Sequence, residues 1–265
     1  MAVWFGKLIR NDVNMAAVGA RFCQVASWLV CRSLHTTVVP GKAKTGAEQI
    51  WLNRQKRDPY VKAAREHSYR CRSAFKLLEI DKEHKILHPG HHVIDCGAAP
   101  GAWSQVLVDK VNSLGQDPAA KTGFVLGVDL LHIPPLDGAL FLSKCDMTDP
   151  NTYHKIVDLL PTGKADAILS DMAPNASGFR ELDHHKLASM CSSLLDLAAL
   201  VLRPGGNFLC KLWDGSQTNP LRDRLRQSFQ YVRTVKPKAS RMDSAEIYLL
   251  GKSYKGNPSL DCSSK

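Results

Sequence analysis

Asp129, Asp146 and Asp171 each stand at or just after the end of a short apolar run, and a glycine-framed turn, Gly97-Ala98-Ala99-Pro100-Gly101, follows another. Carboxylates so placed accept hydrogen bonds from hydroxyl or amino groups, and small residues let the backbone approach a ligand closely. The turn opens a helix near Ala102, whose first amides are free to point at a ligand. A dinucleotide fingerprint would read G-x-G-x-x-G; here the glycines are four apart with Pro100 between them, so a pyrophosphate cradle is not spelled out. Asp129 suits two ribose hydroxyls and Asp146 an adenine amino group. A nucleoside cofactor without a pyrophosphate fits these parts, and S-adenosyl-L-methionine is the obvious one. Gly97, Pro100, Gly101, Ala102, Trp103, Asp129, Asp146, Met147 and Asp171 are the expected cofactor contacts. The plain alternative, a tight turn with no ligand, leaves the succession of acids unexplained.

These residues need a sheet to bring them together. His92–Cys96, Phe124–Asp129, Ala139–Lys144, Ala165–Ser170 and Asn207–Trp213 read as strands, and Tyr231–Lys236 and Ala245–Leu250 as two more. No helix separates the last pair, so it should be antiparallel. Asp183 is expected to cap a long helix whose apolar residues (Leu187, Met190, Cys191, Leu194, Leu195, Ala198, Val201 and Leu202) recur in steps of three and four. Pro204-Gly205-Gly206 should stop it, and Leu221–Phe229 is helical. Alternating strands and helices predict an α/β protein: a mainly parallel seven-stranded sheet with helices on both faces and one antiparallel strand. Ligands of such sheets bind outside the carboxyl ends of the strands, where Gly97, Asp129, Asp146, Asp171 and Lys211 all fall. Residues 46–81 carry a helical pattern with one interruption, at Pro59, where Asp58 can cap a second helix.

The chain has 265 residues and a formal net charge of +10, ample for a real core. The charge is unevenly placed: residues 1–40 carry +3, residues 41–76 carry +7, and the remainder is neutral. Arg10, Arg21 and Arg32 are spread among apolar residues with Asp12 as the one acid, so residues 1–40 read as a mitochondrial presequence directing the protein to the matrix. Residues 41–81 form a basic helical arm, 82–252 the enzyme domain, and 253–265 a flexible tail. No apolar run is long enough to span a membrane. The eight cysteines show no two-residue spacing, and neither His91-His92 nor His184-His185 has a partner at ligand distance, so no metal is expected.

Arg72-Ser-Ala-Phe-Lys-Leu-Leu-Glu-Ile80, Gly97-Ala-Ala-Pro-Gly-Ala-Trp103 and Asp171-Met-Ala-Pro-Asn175 together resemble the FtsJ/RrmJ family of ribosomal RNA 2′-O-methyltransferases. The resemblance runs from about Asp58 to Gly251. With the N-terminal extension, it points to the mitochondrial members acting on large-subunit rRNA. It implies a Rossmann-like AdoMet-dependent methyltransferase fold, AdoMet as cofactor, and the assembling mitochondrial large ribosomal subunit as partner. The implied target is a uridine 2′-hydroxyl in the peptidyl-transferase region. It also implies a Lys–Asp–Lys–Glu tetrad, matched here by Lys76, Asp171, Lys211 and Glu246. Ala102 departs from the second glycine of bacterial relatives, which slightly stiffens the loop.

A ribose 2′-hydroxyl is a weak nucleophile, so methyl transfer gains from a base that takes its proton as the oxygen attacks. The resemblance gives Lys211 that role. A second ammonium at Lys76 favours loss of its proton, whereas the carboxylates of Asp171 and Glu246 oppose it. Lys76 has an alternative role in holding the target phosphate or hydroxyl. Upstream, Arg54–Lys76 carries eight cations with Tyr60, Tyr69 and Phe75 interleaved. Cations contact phosphates and aromatics stack on bases, so Arg54, Lys56, Arg57, Arg70 and Arg72 are the expected RNA contacts. Other readings of the same residues are a catalytically dispensable rRNA-binding assembly factor, or a 2′-O-methyltransferase of tRNA or an mRNA cap.

Overall fold

A computed structural model describes residues 46–175 and 177–256. The expected presequence, residues 41–45 of the arm and residues 257–265 of the tail lie outside the described residues. Seven strands form one sheet: β1 (His92–Cys96), β2 (Phe124–Asp129), β3 (Ala139–Ser143), β4 (Ala165–Ser170), β5 (Leu202–Trp213), β6 (Phe229–Val235) and β7 (Glu246–Tyr254). Their order is β3-β2-β1-β4-β5-β7-β6. β3 to β5 pair in parallel, whereas β7 runs antiparallel to both β5 and β6. This is the α/β architecture expected, with β7 as the single reversed strand.

Among the described residues there are seven helices: α1 (Gly46–Arg57), α2 (Pro59–Glu66), α3 (Ala74–His84), α4 (Ala102–Lys110), α5 (Pro150–Leu159), α6 (Arg180–Val201) and α7 (Thr218–Ser228). Side chains alternate across a strand, so β1 sends Val93 to one face and Ile94 to the other. On one face Ile94, Ile168 and Phe208 pack against Ile156 of α5, Leu187 and Leu194 of α6, and Leu221 and Leu225 of α7. On the other, Val93, Leu169, Leu209 and Tyr248 pack against Leu77 and Ile80 of α3 and Trp103 and Leu107 of α4. Emptying one such fully buried leucine to alanine costs about 2–5 kcal/mol.

Asp58 caps α2 as expected, its Oδ1 accepting from the Tyr60 amide at 3.0 Å with Pro59 at the first helical position. The same signature, Asp149-Pro150, starts α5, an element that the apolar pattern does not mark. The 46–81 pattern breaks twice, not once: residues 67–73 separate α2 from α3, with Ser68 at φ 58° in the left-handed region. Helix α6 starts at Arg180, ahead of Asp183. Asp183 lies inside the first turn and accepts from the Ser177 amide (2.9 Å), the Ser177 hydroxyl (2.6 Å) and the Gly178 amide (3.3 Å), so it ties down the preceding loop. Pro204-Gly205-Gly206 does not stop that helix, which ends at Val201. It forms an irregularity within β5, where the register jumps from Ala165↔Leu202 to Ala167↔Asn207. Strand β7 continues to Tyr254, two residues into the expected tail.

Candidate active site

The parallel strands deliver their carboxyl ends to one rim. The turn after β1 is shaped by Gly97 (φ +78°) and Gly101 (φ +104°). A Cβ on Gly97 would sit 2.2 Å from Met172 Cγ, and one on Gly101 would sit 2.3 Å from Arg70 Nη1. Only glycine fits either place. At the end of β2, Asp129 accepts from the Ala99 amide through Oδ2 (2.8 Å) and from the Leu131 amide through Oδ1 (2.8 Å). Asp129 therefore locks the Gly97–Gly101 turn and still has lone pairs for hydroxyl donors. After β3, Asp146 is exposed, and the Thr148 amide and hydroxyl, both 2.8 Å from its Oδ1, hold its carboxyl below the usual range.

These donors and acceptors fit a nucleoside ligand: an oriented carboxylate for a diol, a second for an amine, and a shaped turn between them. Arg70 adds a clamp that spacing does not reveal. Its guanidinium donates to the carbonyls of Pro100 (2.9 Å), Pro134 (2.8 Å) and Pro135 (2.5 Å), tying the turn to the segment after β2. Other expected contacts face inward. Ala102 and Trp103 are buried, and the Trp103 indole donates to the Ser73 carbonyl at 2.9 Å with its ring 5.9 Å from that of Tyr248. Met147 is buried, while the backbone carbonyl it carries accepts from the Tyr153 hydroxyl.

Four elements bring the tetrad residues together. Lys76 comes from α3, Asp171 from the residue after β4, Lys211 from β5 and Glu246 from the start of β7. Lys76 Nζ donates to Glu246 Oε2 at 2.8 Å and lies 3.7 Å from Asp171 Oδ1. Lys211 Nζ lies 3.1 Å from the same Oδ1 and donates to the Asp171 carbonyl at 2.5 Å. Two cations and two anions, each with under a fifth of its side chain exposed, cancel in charge. Removing water strengthens such pairing and also makes any unpaired member costly.

Two further residues complete the cluster, and sequence spacing does not mark them. The Tyr248 hydroxyl donates to Asp171 Oδ1 at 2.7 Å, and the Ser73 hydroxyl donates to Oδ2. Burial pushes the Asp171 carboxyl up, but Lys211, Lys76 and these two hydrogen bonds outweigh it and hold the group below the ordinary carboxylate range. Burial also pushes the Tyr248 phenol well up, and the nearby carboxylates of Asp171 and Glu246 add to this. Tyr248 therefore remains a donor. Glu246 is oriented by the Ser240 hydroxyl at 2.6 Å. The Lys76–Glu246 side of the tetrad opens on a cavity of about 290 Å³ lined also by Ser73, Arg241 and Ser244, whereas Asp171 and Lys211 lie outside its lining.

Beneath the turn, Asp95 is fully buried and accepts from the Ser104 hydroxyl at 2.7 Å. Burial pushes its carboxyl up to about 7, although the Ser104 bond pulls the other way. The folded value thus exceeds the ordinary 3.8, and the folded state holds the proton more tightly than the unfolded chain. The contribution of Asp95 to stability is full below about pH 4 and is lost as the pH rises to about 7. At about 1.4 kcal/mol per unit, the loss amounts to a few kcal/mol. Asp95→Asn should flatten this decline, which denaturant unfolding at pH 5 and pH 8 would read. An undiminished decline in the variant would remove Asp95 as its source.

The expected RNA contacts divide. Arg54 and Arg57, in the last turn of α1, are exposed beside a cavity of about 710 Å³, and Lys56 is exposed on the same turn. Arg54 lies 3.8 Å from Asp243. Arg72 is engaged internally: it pairs with Asp58, donates to the Ala239 carbonyl and lies 5.4 Å from the Tyr60 ring centroid. Arg70 serves the turn described above. Lys238 and Arg241, from the segment between β6 and β7, face the same cavity as Arg54 and Arg57. They lie so far along the sequence that no local pattern joins them to the arm. Among the described residues, no group of three His, Cys, Asp or Glu could hold a metal, and no helix is long and apolar enough to cross a membrane.

Comparison with known proteins gives a consistent result. Residues 69–254 match the family described as FtsJ-like methyltransferase. The chain is 41% identical over 215 residues to "rRNA methyltransferase 2, mitochondrial" of Drosophila melanogaster, covering 81% of this chain and 86% of that protein. It is 43% identical over 227 residues to "Ribosomal RNA large subunit methyltransferase E" of Parvibaculum lavamentivorans, covering 85% and 89%. Among solved structures, a ribosomal RNA methyltransferase from Plasmodium falciparum superposes with a TM-score of 0.62 at 30% identity, covering 71% of this chain and all of that one.

Proposed function

The chain belongs to the FtsJ-like methyltransferase family, and from that premise we propose that it methylates a ribose 2′-hydroxyl of mitochondrial large-subunit rRNA in the matrix. The target we propose is a uridine in the peptidyl-transferase region, modified during assembly of the large ribosomal subunit. The observation that carries the reading is the convergence of Lys76 and Lys211 on one oxygen of Asp171. The names of the fly and bacterial relatives support rRNA as the substrate class, and the fly relative's name supports the compartment.

S-adenosyl-L-methionine, when bound, supplies a methyl group made electrophilic by its sulfonium. Asp129 and Asp146 would hold its ribose and adenine, and the Gly97–Gly101 turn would shape the floor. The protein's own contribution is positioning and proton transfer. Lys211, entering as the free amine, takes the proton of the 2′-hydroxyl as that oxygen attacks. The ammonium so formed would be balanced by the Asp171 carboxylate, whose Oδ1 lies 3.1 Å from Lys211 Nζ. The tetrad then carries two charges of each sign, so accepting the proton restores neutrality. Lys76, fixed by Glu246, steers the hydroxyl or its neighbouring phosphate. Exposed Arg54, Lys56 and Arg57 meet the RNA backbone.

Mapping 2′-O-methylation across mitochondrial rRNA, with and without the protein, tests the reading. One large-subunit uridine in the peptidyl-transferase region should lose its methyl group when the protein is absent. An unchanged map would overturn the substrate assignment.

A further inference from the structure

Two larger cavities adjoin the one at the tetrad, and their linings differ in kind. The first, of about 710 Å³, is lined by Arg54, Arg57, Lys238 and Arg241, with Asp58 as its one acidic lining residue. The second, of about 550 Å³, lies between the start of α6, the end of β5 and the residues entering β7. Its wall includes the half-buried side chain of Trp213, which packs on one side against the core, together with Arg180, Glu181, Asp214 and Asp243.

The second cavity is framed by the same two strands as the tetrad. Trp213 is the register partner of Glu246, and the Asp214 amide donates to the Ala245 carbonyl at 2.8 Å. Ser244 lines both this cavity and the one at the tetrad. Two of its polar groups are already engaged: His184 Nε2 accepts from the Gln217 amide at 3.0 Å, and Asp183 accepts from Ser177 and Gly178. Asp214 is exposed, and its Oδ1 accepts from Thr218 at 3.2 Å, which leaves lone pairs for another donor.

The covalent structure of a nucleotide does the rest. C2′ bears the reacting hydroxyl, and the adjacent C1′ bears the base. A hydroxyl seated at Lys211 therefore holds its own base within about one ring-width of the tetrad. A phosphate is favoured on the cationic side and repelled by the carboxylates on the other. A flat, uncharged ring with N–H and C=O edges suits an indole face beside a carboxylate. We propose that the Trp213 cavity is the subsite for the base of the target nucleotide, with Trp213 stacking on the ring and Asp214 accepting a base N–H. The inference rests on the ribose-methylation reading above and deepens it: the nucleotide is held with its base on the α6 side and its backbone on the α1 side.

The test uses the full-length protein, S-adenosyl-L-methionine and an oligoribonucleotide copying the peptidyl-transferase loop, either intact or with an abasic ribose at the methylated position. For the unaltered protein, the abasic RNA should raise KM about 10-fold, in line with the worth of one stacked base. Trp213→Leu should raise KM for intact RNA by a similar factor, leave cofactor affinity by calorimetry unchanged, and no longer distinguish the two RNAs. Trp213→Phe should stay within about 3-fold of the unaltered protein, because a ring that can stack remains. Equal methylation of intact and abasic RNA by the unaltered protein overturns the subsite while leaving the function intact, and needs no variant to fold. Full base discrimination in Trp213→Leu overturns it too. Failure of the unaltered protein to methylate any RNA ribose would overturn the function and the subsite together.

Discussion

Lys211→Met will reduce methyl transfer by at least about 10²–10⁴-fold, the range expected for loss of a positioned base, while S-adenosyl-L-methionine binding stays within about twofold. The selectivity follows from the site's division of labour. Lys211 reaches Asp171 from β5, whereas the proposed cofactor contacts, Asp129 and the Gly97–Gly101 turn, are fixed by amides of Ala99 and Leu131 that do not involve it. Methionine keeps most of the buried stem, so packing against the strand is retained. Asp171 is not orphaned in this variant, because Lys76, Ser73 and Tyr248 still contact its carboxylate. The stability cost should stay near 1–3 kcal/mol, the range for a weakened buried polar contact. Single-turnover methylation with calorimetric cofactor titration measures both halves. Retained activity would remove Lys211 from the base role, and lost cofactor binding would place it in the cofactor site instead.

Asp171→Asn should be the more damaging change to the molecule as a whole. Both lysine ammonium groups and two hydroxyl donors point at one carboxylate. Neutralising it leaves two buried cations facing each other with only Glu246 to balance them. Breaking a buried pair in this way costs about 3–5 kcal/mol, and transfer should fall by a factor comparable to the Lys211 variant. The pH dependence has a definite sign. Because the folded Asp171 carboxyl lies below its ordinary range, its contribution to stability is present above that range and is lost as the pH falls through the folded value. The asparagine variant should therefore lose part of the acid-side destabilisation of the parent, opposite in direction to the effect at Asp95. Chemical denaturation between pH 3 and pH 7 would show it, and a variant as stable as its parent at neutral pH would contradict the pairing.

Much of this architecture is legible in the sequence because its signals are local. Val93–Cys96 and its turn, Asp129 at the end of β2, and Asp58-Pro59 at the start of α2 each combine residues within a few positions of one another. The signal misleads where a competing local partner wins. Asp183 has the composition of a helix cap, yet its carboxylate bonds back to Ser177 and Gly178 inside a helix already begun at Arg180. Pro204-Gly205-Gly206 has the composition of a break, yet the chain absorbs it as an irregularity in β5 while pairing with β4 resumes at Asn207. Trp103 sits in a loop motif, but its indole finds the Ser73 carbonyl and the Tyr248 ring beneath it.

By itself, the sequence determined the chemical inventory: the acids at strand ends, the shaped turn, the two lysines with their carboxylates, and a family resemblance joining them. The alternation of short apolar runs with helical patterns also determined the sheet, since parallel strands covered by helices on both faces are apolar throughout. Only the tertiary structure decided which groups share an atom. Lys76 and Glu246 are 170 positions apart and meet at 2.8 Å. Tyr248 and Ser73 reach the two oxygens of Asp171 from different elements, and Lys238 and Arg241 join the arm across the same opening. Side-chain charge and hydrogen bonding act over a few ångströms, and distance along the chain does not fix distance in space until the strands are ordered and registered. The pairing of Trp213 with Glu246, which sets a tryptophan-walled cavity beside the tetrad, is a property of that register.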